Sequence, residues 1–199
     1  MGRSNVYALT SRDNNDEIIL RDALASDARA IAAIHVRSFR ATYRNVLPLY
    51  VLDELDTTAR ARIWAQRITD TESDNRRIVV AKLGDSVVGF VYFGITPDED
   101  DFFERTGHVF SIHTDPEVTG RGVGTSLIQF AAGAMRATAC QDATLWVVAE
   151  NPGARQFYER LGWRADGARR TELIGLAGEP GAERDAETVR YRLQLRSEL

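Results

Sequence analysis

The chain has 199 residues, 44% hydrophobic and 27% charged, with a formal net charge of -4; that length suits one unit able to bury roughly 70% of its unfolded surface, and the acidity argues against a general nucleic-acid binder. Its one cysteine, Cys140, excludes an intrachain disulfide and any cysteine-rich zinc site. No apolar run approaches the about 18 residues of a membrane span, and the start shows neither a basic-then-apolar leader nor, with Val6 in place of Ser or Thr, a myristoylation pattern, so a reducing cytoplasm is the expected location.

Residues 1–16, which include Asn14, Asn15 and Asp16, read as a polar flexible tail, and residues 17–199 as one domain. The run 18–21 suits a first strand, Ser26 and Asp27 a cap, and 28–39 an amphipathic helix with Ile31, Ile34 and a packed His35 on or near one face. Two short helices are predicted at 49–55 and 58–68, the second placing Ile63, Trp64, Arg67 and Ile68 in helical period. Residues 77–83 and 87–96 read as a hairpin across Gly84, Asp85 and Ser86, followed by an acidic loop at 97–101.

Between the apolar run 109–112 and an amphipathic run opening at Val123 lies a short loop and a turn with Gly120, Gly122 and Gly124 at alternate positions. Glycines let the backbone approach a ligand closely, and the first N–H groups of the following helix have no intrahelical partner. Those amides, the positive end of the helix dipole and the Arg121 charge favour a phosphate or pyrophosphate. A P-loop is excluded because Gly124 is followed by Thr125 and Ser126 with no lysine, and a dinucleotide fingerprint because Thr125 stands where its third glycine belongs. The plain alternative is a turn that binds nothing.

A strand-like run at 143–148 leads into a helix with both ends marked: Asn151 suits the N-cap, Pro152 the first helical position and Gly162 the residue past the end. Ala154, Phe157, Tyr158 and Leu161 fall at i, i+3, i+4 and i+7, so Tyr158 also reads as a core aromatic. Closing strands are predicted at 164–174 and 188–195, where Val189, Tyr191, Leu193 and Leu195 alternate, with a mobile loop at 175–186 between them. No internal repeat is present. The pattern is α+β: a mixed, mostly antiparallel sheet flanked by helices.

The two motif segments together resemble the GNAT superfamily of N-acetyltransferases. The first matches Val-x-Pro-x-x-(Arg or Gln)-Gly-x-Gly-x-(Gly or Ala) as the run from Thr114 through Pro116, Thr119, Gly120 and Gly122 to Gly124; the second matches at Asn151, Ala154, Phe157, Tyr158, Gly162 and Trp163. The resemblance covers roughly residues 17 to 195. It implies acetyl-coenzyme A as cosubstrate, with no metal. The pyrophosphate would sit on Thr119, Gly120, Arg121, Gly122, Val123, Gly124 and Thr125, and the pantetheine arm would lie between two splayed central parallel strands, here 109–114 and 143–148. Ile112, His113, Thr114, Asn151 and Tyr158 complete the implied coenzyme contacts. Thr119 departs from the usual Arg or Gln, which bears on one side-chain contact and not on the backbone amides.

Acyl transfer to an amine needs a neutral amine, a polarised thioester carbonyl and a proton for the departing thiolate. The resemblance gives the third role to Tyr158, whose reference pKa near 10 exceeds a thiol's near 8.5, and the second to a backbone N–H near 112–114. Relatives often place a glutamate where this chain has His108; a histidine can accept the amine proton directly or through water. His113 is the runner-up should a bulge reverse the strand's parity, and Glu150 a further alternative. Phe39 and Tyr43, in a segment resembling one that borders the acceptor pocket of small bacterial relatives, are the acceptor-pocket candidates, although core packing explains them equally well. The acceptor would be a small-molecule amine or a protein N-terminus, with a cationic amine favoured by the acidity. Expected partners are therefore acetyl-coenzyme A and this amine, with no nucleic acid and no membrane, and with a homodimer left open. A coenzyme-binding sensor without catalysis is the competing reading, and a nucleotide-dependent oxidoreductase the remoter one.

Overall fold

The computed structural model describes residues 6–10, 17–44, 49–53, 55–70, 76–101, 105–175 and 183–195. The chain runs β1 (Val6–Thr10), β2 (Glu17–Asp22), α1 (Ala28–Tyr43), α2 (Leu49–Asp53), α3 (Thr57–Asp70), β3 (Arg77–Leu83), β4 (Ser86–Ile95), β5 (Thr106–Thr114), α4 (Val123–Ala137), β6 (Asp142–Val148), α5 (Pro152–Arg160), β7 (Arg164–Gly175) and β8 (Glu183–Gln194). Strand neighbours follow the order β1-β2-β3-β4-β5-β6-β8-β7. The pairs β1–β2, β2–β3, β3–β4, β6–β8 and β7–β8 are antiparallel and β5–β6 is parallel, the mixed, mostly antiparallel pattern expected from the sequence. The chain divides into two compact units: Met1–Ala41, Asp56–Phe93 and Ser111–Ala131 in the first, Thr42–Leu55, Gly94–Phe110 and Ala132–Leu199 in the second.

In the first unit Ile78, Val79, Val80 and Ala81 are buried in succession, as befits a strand covered on both faces. Against this apolar layer α1 buries Ile31, Ala32, Ile34, Val36 and Phe39. The start of α1 is anchored as the sequence suggested: the Leu24 N–H donates to the Asp27 carboxylate at 2.7 Å, and Arg21 donates to the same carboxylate at 2.6 and 2.8 Å. The expected flexible tail is corrected in part, because Val6–Thr10 pairs with β2 from Val6↔Arg21 to Thr10↔Glu17. The polar residues at 14–16 hid this short apolar and β-branched run, which needs only the open edge of β2 to become a strand.

In the second unit the parallel register runs from Thr106↔Asp142 to Val109↔Leu145, and both strands continue beyond it, β5 to Thr114 and β6 to Val148. The parallel register thus spans four residue pairs. β8 lies between β6 and β7 and begins at Glu183, ahead of the expected 188. Along its first half Asp185 and Glu187 are exposed while Ala186 and Thr188 are buried; this polar-out, small-in alternation reads as loop until a partner strand is supplied. Trp163, 1% exposed, follows Gly162, whose φ of 88° ends α5 in the left-handed conformation that glycine favours.

Candidate active site

The glycine turn expected to bind an anion lies within the first unit. Gly120 and Gly122 adopt φ of 82° and 80°, a region closed to most side-chain-bearing residues. The first bond of α4 runs from the Ser126 N–H to the Gly122 carbonyl at 2.9 Å. The amides of Val123, Gly124 and Thr125 precede that bond and emerge from the positive end of the helix. The loop before the turn is held twice: the Asp115 N–H donates to the Val88 carbonyl at 2.8 Å, and Arg37 of α1 donates to the Asp115 carboxylate. Thr119 turns its hydroxyl back onto the Pro116 carbonyl at 2.8 Å, which fits a position supplying backbone and not side-chain contacts. The Arg37–Asp115 pair escaped sequence reasoning, since 78 residues separate its partners and neither carries a local signal.

His113 belongs to the same unit. Its Nδ1 lies 3.0 Å from the Ser38 hydroxyl, and its ring lies 4.4 Å from that of His35 and 5.5 Å from that of Phe90. Burial lowers its pKa to about 4. His35 in turn accepts the Trp64 indole N–H at Nδ1, 3.2 Å away. An indole can only donate, so His35 is neutral with its proton on Nε2. Burial first, then the fields of His113, Arg60 and Arg67, push its pKa to about 2. Ile112 and Thr114 flank His113 half-buried, and Phe39 is core at 4% exposure.

The second unit holds Tyr43, His108, Asn151 and Tyr158, so Phe39 and Tyr43, expected at one pocket, fall in different units. His108 is buried, and its Nδ1 lies 2.9 Å from the Thr144 hydroxyl. The Thr144 proton is directed at the Gly107 carbonyl at 3.3 Å; its oxygen therefore accepts from His108 Nδ1–H, leaving the Nε2 lone pair as the basic site. Burial dominates in lowering the His108 pKa to about 4, with Asp98 raising it and Arg170 and Arg190 lowering it. Tyr158 packs its ring 5.1 Å from Phe157 and 6.1 Å from Trp163, and burial raises its phenol above the usual range. The Asn151 side chain accepts the Ala154 N–H at 3.0 Å, capping α5 as expected. Glu150, just before it, is exposed.

In the second unit a Cβ on Gly107 would meet Met135 of α4. In the first, His113 meets Phe90 and α1. In β4, Gly89 faces Leu127 and Val123 of α4, and its neighbour Phe90 faces Trp64 and His35. Within the first unit His113 therefore lies on the side away from α4.

A charged cluster that the sequence showed only as an acidic loop adjoins His108. The buried Asp98 accepts the Trp146 indole N–H at 2.9 Å and a guanidinium N–H of Arg170 at 2.9 Å, with Arg190 at 3.5 Å. Arg170 lies 3.9 Å above the Trp146 ring. Among the described residues Asp98, Asp100 and Asp101 form a carboxylate group of metal-binding size, but Arg190 reaches Asp100 at 2.8 Å and Arg192 reaches Asp101 at 2.8 Å, occupying the place of a cation. No described helix is long and apolar enough to cross a membrane.

The sequence profile of the acetyltransferase (GNAT) family matches residues 31–163. The uncharacterized N-acetyltransferase YuaI of Bacillus subtilis is 27% identical over 135 residues, 68% of this chain and 74% of its own length. The mycothiol acetyltransferase of Saccharopolyspora erythraea is 35% identical over 77 residues, 39% of this chain and 23% of its own. Among solved structures, the PaiA N-acetyltransferase of Thermoplasma acidophilum in complex with coenzyme A aligns with a TM-score of 0.65 at 14% identity, covering 89% of this chain and 98% of that one. An N-acetyltransferase from Staphylococcus aureus Mu50 aligns equally well, TM-score 0.65 at 18% identity, over 90% and 99% of the two chains. At such identities these two likenesses bear on the fold alone.

Proposed function

Starting from a chain that belongs to the acetyltransferase (GNAT) family, a GNAT-type N-acetyltransferase using acetyl-coenzyme A, we propose that it acetylates a primary amine by direct attack within a ternary complex. One observation carries the donor side: two left-handed glycines deliver three amides of the α4 N-terminus, a geometry suited to a pyrophosphate. The amine nitrogen attacks the thioester carbon. The carbonyl oxygen becomes an oxyanion, for which a backbone N–H of 112–114 is the donor. The C–N bond forms, the C–S bond breaks, the departing sulfur receives the Tyr158 proton, and solvent restores it.

The amine proton goes to His108 or His113. A base with a pKa of about 4 cannot strip a free alkylammonium ion, so the amine arrives neutral and gives up its proton after attack, when its nitrogen has become strongly acidic. Small-molecule amines and a protein N-terminus both satisfy this chemistry. The competing reading, a coenzyme-binding sensor, leaves the Tyr158 hydroxyl without a task.

The test is calorimetric. Gly122→Asp sets a side chain at a φ of 80° and a negative charge against the pyrophosphate. It is expected to weaken coenzyme A binding at least tenfold and to abolish the coenzyme-induced rise in melting temperature. Unchanged binding would remove the turn from the site.

A further inference from the structure

Within the second unit, Pro97, Asp98, Asp100, Trp146, Ala168 and Arg170 line a cleft of about 420 Å³, a volume in the range of small-molecule sites. The floor of this cleft is already built around a cation. The Arg170 guanidinium rests 3.9 Å over the Trp146 ring and donates at 2.9 Å to Asp98, whose side chain is only 3% exposed. An aromatic face beside a buried carboxylate is a general recognition device for positive charge. Arg170 reaches in from β7 with its side chain 39% exposed and pairs with Glu172 as well as Asp98. On that solvent side water screens its ion pairs, and with Arg170 turned outward Asp98 would still have the Trp146 N–H and Arg190 as partners. The surroundings also favour a cation, because the guanidinium groups of Arg170, Arg190 and Arg192 are outnumbered by the carboxylates paired to them, Asp98, Asp100, Asp101 and Asp166 among them.

The cleft has a fixed relation to the candidate base. Thr144, the register partner and hydrogen-bond partner of His108, and Trp146 lie two residues apart on β6 and so share a face. Two strand residues span about 7 Å. Asp98, Arg170 and Arg190 all act on the His108 proton affinity, so the cleft and the imidazole are electrostatic neighbours. We propose that the Trp146–Asp98 cleft is a cation subsite of the acceptor, that Arg170 is its resident stand-in, and that the acceptor carries a second positive charge about 7 Å from its reacting nitrogen. This rests on the acyl-transfer reading above and adds the substrate class, a flexible diamine or a lysine-like amine bearing a further cationic centre.

The experiment has a kinetic and a binding arm on the full chain. In the first, kcat/KM with acetyl-coenzyme A is measured for linear α,ω-diamines, for monoamines of equal length and for ω-amino carboxylates. The diamine advantage is expected to be about tenfold and to peak near a chain of roughly four or five methylenes, the length that spans about 7 Å. A flat ratio, or ω-amino carboxylates outperforming diamines, overturns the proposal while leaving acetyl transfer intact. In the second arm, a bis-quaternary ammonium of the same spacing, which cannot be acylated, is titrated by calorimetry. Its binding is expected to weaken about tenfold in Trp146→Leu and to tighten in Arg170→Ala, which removes the internal competitor. Retained binding in Trp146→Leu, or weaker binding in Arg170→Ala, overturns it. Specific probe binding with no acetyl transfer to any amine would instead sink the transferase reading and leave the cation site standing.

Discussion

Burial moves the His108 imidazole down to about 4 and the Tyr158 phenol above its usual range, and the two shifts act differently on a proton path. His108 stays neutral through the physiological range with Nε2 available, so below the limb that the incoming amine's own deprotonation sets in kcat/KM, the limb belonging to His108 is expected near 4 and not near the ordinary histidine value of about 6.5. His108→Ala is expected to lower kcat/KM by about 10-fold to 10³-fold. A pH profile unaltered by that change would pass the role to His113, whose own pKa is also lowered to about 4. Tyr158 stays protonated, so its hydroxyl is a donor at every working pH. Tyr158→Phe keeps the ring contacts with Phe157 and Trp163, so the melting temperature should hold while turnover falls by about 10² to 10⁴. Equal turnover would confine Tyr158 to packing.

At the scale of elements, Gly107 shows how tightly β5 is pressed onto α4: an added Cβ would lie 2.2 Å from the Met135 sulfur and 2.9 Å from its Cγ. Gly107→Ala is expected to cost about 1–3 kcal/mol in chemical denaturation, and pairing it with Met135→Ala should recover part of that loss. No loss in the single variant would mean that the helix shifts freely against the strand. The elements legible in the sequence were those with local chemistry. Asn151 and Gly162 bracket α5, Gly84 with a φ of 56° turns the β3–β4 hairpin, and the alternate glycines open α4. What stayed hidden depends on partners far along the chain: Thr144 meets His108 only through the β5–β6 register, Arg37 meets Asp115 only through the packing of α1, and the first half of β8 is polar enough to pass for a loop.

Across the whole molecule, all three histidines of the chain have folded-state pKa values below the unfolded one, His35 at about 2 and His108 and His113 at about 4. Below about pH 6.5 the unfolded chain binds protons that the folded chain refuses, so stability falls with pH from that point until the folded sites titrate. With three such groups the slope approaches about 4 kcal/mol per pH unit. Asp27 works in the same direction at lower pH: although burial opposes its charge, Arg21 and the Leu24 amide outweigh it and hold the carboxyl below its ordinary range, so the stability it contributes is lost as pH falls through that folded value. Urea midpoints measured from pH 7.5 down to 5 should drop steeply. His35→Gln should flatten the drop by about a third, and a midpoint constant across that window would show that the histidines are not neutral in the folded state.

The position of β8 between β6 and β7 bears on how the protein is made. β6 emerges from the ribosome well before Glu183–Gln194 does, and β7, its successor in the chain, is not its neighbour. Until β8 is synthesised, one edge of β6 carries unpaired backbone groups over a run that includes the apolar Leu145, Val147 and Val148, the kind of edge that recruits other chains. A nascent or truncated chain stopping before residue 183 would therefore carry its parallel strand pair with an open flank. Synthesis that slows over the β7–β8 connection would lengthen the interval in which chaperones have to guard it.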